Sequence, residues 1–178
     1  MTAARRAGAL LLFVGLLLAG CATETAAAPR CEAGQRLAIV AQSVPGAAYL
    51  PCIDDLPPGW RFDDFEVDDD GARFSLLSDR ADRPVEVSLS PSCDVGAATP
   101  VAPRDEGVRT YQRADSISPR YAGRFYDVFP RGCVTYAFDF ERGPHIALVD
   151  ELLRTVRLYP RRQLRQELED EFGLTLDP

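Results

Sequence analysis

Between Trp60 and Phe140 the apolar residues recur with a period of two, and from Ile146 onward they recur at helical spacing. A strand turns alternate side chains to opposite faces, whereas a helix stacks residues three and four apart, so one stretch cannot serve both patterns. Val134, Tyr136, Phe138 and Phe140 put four large groups on one face, opposite Cys133, Thr135, Ala137 and Asp139. β-Branched and aromatic residues fit that pleated surface well. Val85, Val87 and Leu89 alternate with Glu86, Ser88 and Ser90. Trp60 and Phe62 alternate, then Phe65 and Val67 do so in the opposite phase. That shift predicts a bulge at Asp63-Asp64. Asp70-Gly71, followed by alternating Ala72, Phe74 and Leu76, predicts a hairpin turn. Residues 108–113 and 125–129 read as further strands, and residues 97–107, small and Pro-containing, as loop.

Near the N-terminus, Leu37, Ile39, Val40 and Val44 form an apolar stretch too short to separate strand from helix. Tyr49–Ile53 is a second short run, and residues 54–59 read as a turn. After Phe140, Ile146, Val149, Leu152, Leu153 and Val156 predict a helix, with Pro144 near its start. Pro160 stops it and opens another, striped by Leu164, Leu168 and Phe172 and capped by Gly173. Strands followed by helices predict an α+β fold, a mostly antiparallel sheet with the C-terminal helices packed on one face.

The first 20 residues carry a different message. Arg5 and Arg6 precede an apolar run over residues 7–18, then small residues and a cysteine. The run is shorter than the ~20 residues that span a bilayer and has the length of a signal h-region. No hydrophobic residue closely follows the arginine pair, which favours the general secretory route. Leu18, Ala19, Gly20 and Cys21 resemble the lipobox of bacterial lipoproteins. That resemblance implies acylation of the Cys21 thiol and cleavage before it. It places the protein on the outer face of the cell membrane, lipid-anchored and extracytoplasmic. Residues 1–20 are then a lipoprotein signal peptide, 21–30 a flexible tether and 31–178 a single extracytoplasmic domain. The segments Ala41-Gln42-Ser43-Val44-Pro45, Pro51-Cys52, Pro58-Gly59-Trp60 and Phe129-Pro130-Arg131-Gly132-Cys133-Val134-Thr135 resemble uncharacterised exported domains of high-GC Gram-positive bacteria. That resemblance implies no activity.

Cleavage of 20 residues from 178 leaves 158, enough to bury about two thirds of the unfolded surface. Losing Arg5 and Arg6 takes the formal charge from −7 to −9. Such an acidic domain repels phosphate backbones and anionic headgroups, so nucleic acid is not an expected partner. With Cys21 acylated, Cys31, Cys52, Cys93 and Cys133 remain, an even set in an exported chain, with three possible pairings. We pair Cys31 with Cys52, which pins the end of the tether, and Cys93 with Cys133, which joins a strand end to a strand start. Loop closure then contributes about 3 and about 4 kcal/mol. No C-x-x-C spacing occurs and His145 is the one histidine, so neither metal nor cofactor is expected.

Candidate chemistry is sparse. Glu66, Asp68, Asp70 and Gly71 have the alternation of a calcium loop, but the twelfth position is Leu77, which supplies no carboxylate. His145 has no Ser or Cys in a recognisable nucleophile setting, and no G-x-S-x-G elbow exists. The chain has no lysine, which removes Schiff-base chemistry. Asp63, Asp64, Asp127, Asp139 and Glu141 are candidates for paired-carboxylate hydrolysis, without a spacing that selects among them. Trp60, Tyr111, Tyr121, Phe125 and Tyr126 either line a groove or fill the core. Arg161, Arg162 and Arg165 precede Glu167, Glu169, Asp170 and Glu171, an order opposed to the helix macrodipole. It makes either a solvated face or a bipolar docking face.

The leading expectation is a non-catalytic protein that binds or scaffolds a protein or cell-envelope partner. The alternatives are a small carboxylate hydrolase of cell-wall glycan and a regulatory accessory of a membrane protein. Cys21→Ala is expected to release the protein from membranes or leave the precursor uncut. Fractionation tests this, and a variant that partitions like the parent would remove the lipid anchor.

Overall fold

The alternating stretches assemble into one antiparallel sheet of seven strands in a computed structural model, which describes residues 27–141 and 145–176. The leader, Cys21, residues 22–26 of the tether and Pro144 lie outside the described residues. Helix α1 (Gln35–Ser43) and strand β1 (Tyr49–Ile53) come first. Strands β2 (Trp60–Asp68), β3 (Gly71–Ser78) and β4 (Val85–Ser90) form one meander. Strands β5 (Thr99–Val101), β6 (Arg109–Ser116), β7 (Tyr121–Phe129) and β8 (Gly132–Phe140) form a second. Pairing of β4 with β8 joins them, in the order β2-β3-β4-β8-β7-β6-β5. Helix α2 (His145–Thr155), strand β9 (Val156–Pro160) and helix α3 (Arg161–Phe172) complete the chain.

The local signals act as expected in most places. The register slips between Phe62 and Asp64, where the alternation changes phase. At the β2–β3 turn, Asp68 Oδ1 accepts from the N–H groups of Asp70 and Gly71 at 2.9 and 3.1 Å. Gly71 has φ +149°, and a Cβ there would stand 1.9 Å from the Leu89 carbonyl oxygen. Only glycine lets β3 approach β4 at that point. The short apolar stretch before Pro45 is the helix α1, with Leu37, Val40 and Ala41 buried.

Two expectations are corrected. The stretch 97–107 contains β5, which extends the sheet by pairing with β6. The period-3.6 stripe does not run through Val156. The helix ends at Thr155, and Val156 opens β9, which pairs antiparallel with β1 from Ile53↔Val156 to Tyr49↔Pro160. Val156, the last member of that stripe, also alternates with Leu158, and backbone bonding to β1 decides. Ile146, a stripe member, is 70% exposed, while Leu148, Val149 and Leu152 face the core. Phe172, at the end of the α3 stripe, is 55% exposed. Pro160 ends a strand and stands at the N-cap of α3. Gly173 terminates α3 in the left-handed conformation, its N–H on the Glu169 carbonyl.

One core unites the sheet with the three helices and the β1–β9 ribbon. Phe74, Leu76, Val87, Leu89, Val134, Tyr136 and Phe140 pack in the same cluster as Leu37, Val40, Leu148, Leu152 and Leu164. Burial of each leucine contributes about 2 kcal/mol. Cys31 is bonded to Cys52 and Cys93 to Cys133, closing 21- and 40-residue separations. These are the pairs chosen from the sequence. The second bridge sits where the two meanders meet, since Ser90 and Cys133 are direct partners.

Helix α2 is latched to the first hairpin by Glu151. Its carboxylate accepts from Trp60 Nε1 at 2.8 Å and from both terminal nitrogens of Arg80 at 3.0 and 2.5 Å. The hydrogen bond from Arg80, with that from Trp60, holds the carboxyl down to about 2, against an ordinary value of 4.5. A depressed carboxylate stabilises the fold above its unfolded value and loses that contribution as pH falls toward the folded one. Glu151→Gln is therefore expected to cost about 1 kcal/mol at pH 7. The difference from the parent should shrink between about pH 4.5 and about pH 2. Urea unfolding across that range checks this; a pH-independent difference would assign the latch to packing alone.

Candidate functional site

At the Tyr49–Pro160 end of the β1–β9 ribbon, Tyr49, Pro160 and Arg161 open a cleft of about 590 Å³. Its walls come from the α1–β1 connection (Gly46, Ala47, Ala48), the β5–β6 connection (Glu106, Gly107), the β7–β8 turn (Pro130, Arg131) and the start of α3 (Arg162, Arg165). Four arginines thus converge from two distant parts of the chain. Among the described residues, no carboxylate pairs with Arg131, Arg162 or Arg165, and the lining contains one acid, Glu106.

Each arginine is placed by local chemistry. The β7–β8 connection is a two-residue turn, because Phe129 and Gly132 are direct partners. Pro130 has its φ fixed near −65° by its ring. Arg131 takes the second position at φ +57°, a left-handed conformation that costs a non-glycine residue about 1 kcal/mol. That turn lays the guanidinium over Gly46, where φ is +88° and a Cβ would come within 2.9 Å of Arg131 Cζ. Arg161 is buried, and its Nη1 donates to the Ala41 carbonyl in the last turn of α1 at 2.6 Å. A cation suits that helix end. Its backbone N–H donates to the Ala48 carbonyl. Burial pushes the Arg161 guanidinium below its ordinary value, and the nearby charges of Arg165 and Arg131 push the same way. Arg162 and Arg165 are exposed one turn apart on α3, whose first turn holds no acid and whose N-cap offers no side-chain acceptor.

The opposite wall is held by a buried charge. Asp127 is fully buried on β7 and accepts from Arg104 Nη1 at 2.8 Å, Thr110 Oγ1 at 2.8 Å and the Tyr136 hydroxyl at 3.0 Å. Arg104 Nη2 also donates to the carbonyls of Leu153 and Val156, and its guanidinium lies over the Tyr136 ring at 5.1 Å. Burial pushes the Tyr136 phenol well above its ordinary value, so it stays a donor. Two residues beyond Arg104, the Glu106 carbonyl accepts from the Tyr49 hydroxyl at 2.7 Å. The Arg104 anchor thereby fixes the Glu106–Gly107 wall of the cleft.

The residues singled out in the sequence are dispersed. Asp139 is held by Arg120 and by Arg83, at 2.7 Å from the latter, and Arg120 above all keeps its carboxyl low. Glu141 pairs with Arg83 at 2.5 Å. Asp63 accepts from Ser75, and Asp64 accepts from the Phe65 N–H. None of these carboxylates lines the cleft. Trp60 and Tyr126 are buried, and Tyr121 and Phe125 pack on Phe138 with centroids 5.1 and 6.2 Å away. These aromatics belong to the packed sheet and do not line a groove. His145 stands at the first position of α2. Glu66, Asp68 and Asp70 surround the hairpin tip, where Arg73 pairs with Glu66 at 2.6 Å. Among the described residues, no cluster of three or more metal-ligating side chains occurs. The arginine half of α3 was visible in the sequence. Arg131 was not, because the signal is a non-glycine residue after proline in a tight turn, whose partner across space is set only by the fold.

Compared with known protein families, curated proteins and solved structures, the chain matches none.

Asp127→Asn keeps the shape of the carboxylate but leaves the Arg104 charge without its counter-ion in the interior. Removing one partner of a buried pair costs about 3 kcal/mol or more. Urea denaturation of parent and variant at neutral pH measures it, and a loss under about 1 kcal/mol would show that Arg104 is neutralised elsewhere.

Proposed function

We propose that this chain is a non-catalytic binding protein, held by a lipid at Cys21 on the outer face of the cell membrane, and that the arginine-lined cleft receives an anionic partner from the cell envelope. One observation carries the reading: four arginines line a concavity whose described lining holds one carboxylate, on a chain whose formal charge is −7. Elsewhere on the surface, Arg30, Arg73, Arg80, Arg83, Arg113, Arg120, Arg124 and Arg157 pair with acids. Like charges left together repel, and a ligand of opposite sign relieves that repulsion. The two disulfides support an oxidising, extracytoplasmic setting. Among the described residues no helix is long and apolar enough to cross a membrane; attachment in this reading is through the acylated cysteine.

The purified protein in neutral detergent is expected to co-sediment with isolated cell-wall sacculi at low salt and to be released as ionic strength rises. The double variant Arg162→Glu, Arg165→Glu reverses two exposed charges without touching the core and should lose retention at least tenfold. Co-sedimentation equal to the parent would overturn the cleft as the binding site.

A further inference from the structure

The cleft's charge count and shape say more about the ligand. Among the described lining residues, Arg131, Arg162 and Arg165 set against Glu106 leave a formal excess of two positive charges around about 590 Å³. A singly charged carboxylate leaves half of that excess in place, and a doubly charged group matches it. Guanidinium forks match tetrahedral phosphate oxygens, each able to accept from a separate fork. The start of α3 adds the positive end of a 12-residue helix at the same wall. The concavity favours a discrete group inserted between walls over a flat bilayer surface, and the acidity of the whole chain opposes close approach to anionic lipid.

Resting on the reading of the cleft as an anion site, we propose that its ligand is a terminal phosphate carrying at least two charges, a phosphomonoester or a pyrophosphate, held by Arg131, Arg162 and Arg165 over a floor made by Arg161. Arg161, spent on the Ala41 carbonyl, sets the position of the α3 wall. The other three reach the phosphate oxygens. The strained turn at Arg131 has a function in this arrangement, because it aims a guanidinium into the cleft from the sheet side.

Titration calorimetry of the purified protein in neutral detergent tests the proposal with four soluble probes: pyrophosphate, glycerol 1-phosphate, the bis-glycerol phosphodiester and citrate. Pyrophosphate and the monoester should bind. The diester, which has the single charge of a bilayer headgroup or a phosphodiester polymer, should bind at least tenfold more weakly. Arg165→Ala and Arg131→Gly should each weaken pyrophosphate binding about tenfold or more. Glycine suits the left-handed turn, so Arg131→Gly should bind less without unfolding at a lower urea concentration, which separates ligand contact from fold. A diester bound as well as the monoester would overturn the double-charge assignment and point to headgroups or phosphodiester polymers. Citrate bound in the same arginine-dependent way, with no phosphate binding, would overturn phosphate while leaving the anion site standing. No binding of any probe, together with sacculus retention insensitive to Arg162→Glu, Arg165→Glu, would overturn both readings. Affinities unchanged in both single variants would overturn the assigned contacts.

Discussion

Asp127 is a carboxylate with no access to water, and the arrangement of the central chain follows from the need to neutralise it. An isolated buried charge costs many kcal/mol, so each of its oxygens must be met. Thr110 comes from the neighbouring strand, Tyr136 from the strand on the other side, and Arg104 from the connection entering β6. Arg104 in turn takes up carbonyls where α2 gives way to β9. One ion pair therefore ties three strands of the sheet, the loop beside them and the start of the ribbon. Replacing it with apolar groups would leave the Leu153 and Val156 carbonyls to find other donors.

The ribbon is the second organising device. Strand β9 pairs with β1 across more than a hundred residues of sequence. The Cys31–Cys52 bridge secures one end, and at the other the Tyr49 hydroxyl and the Ala48 carbonyl hold the β5–β6 connection and the start of α3. The cleft forms at this second end because α1, β1, the β7–β8 turn and α3 all arrive there. Its positive charge is local. Most other arginines of the described residues are spent on ion pairs, which individually contribute little to stability, while Arg131, Arg162 and Arg165 have no carboxylate partner among the described residues and stand together at one concavity.

That contrast limits what overall charge can say. An acidic total forecasts repulsion of anionic polymers on approach, an interaction that salt screens beyond a Debye length of about 8 Å. Inside a cleft the nearest charges dominate, and they have the opposite sign. Net charge and local field are separate quantities, and the second exists only once distant segments have been brought together.

The α+β class, most strand positions, the bulge at Asp63, the Asp-Gly hairpin and the cap at Gly173 were legible in the sequence, because each depends on neighbours a few residues away. Periodicity reports which face is buried, and turn chemistry reports where the backbone must bend. The same logic failed at residues 156–160, where Val156 fits both periods and hydrogen bonding to β1 decided. It failed again at residues 99–101, too short to show a pattern. The cleft belongs wholly to the tertiary level. Arg161, Arg162 and Arg165 read as one half of a bipolar helix, and Arg131 as an ordinary turn residue. Only the pairing of β7 with β8 and the docking of α3 against α1 bring those charges to one concavity, because Coulomb interactions depend on distance in space and a linear chain does not state which of its distant charges will meet.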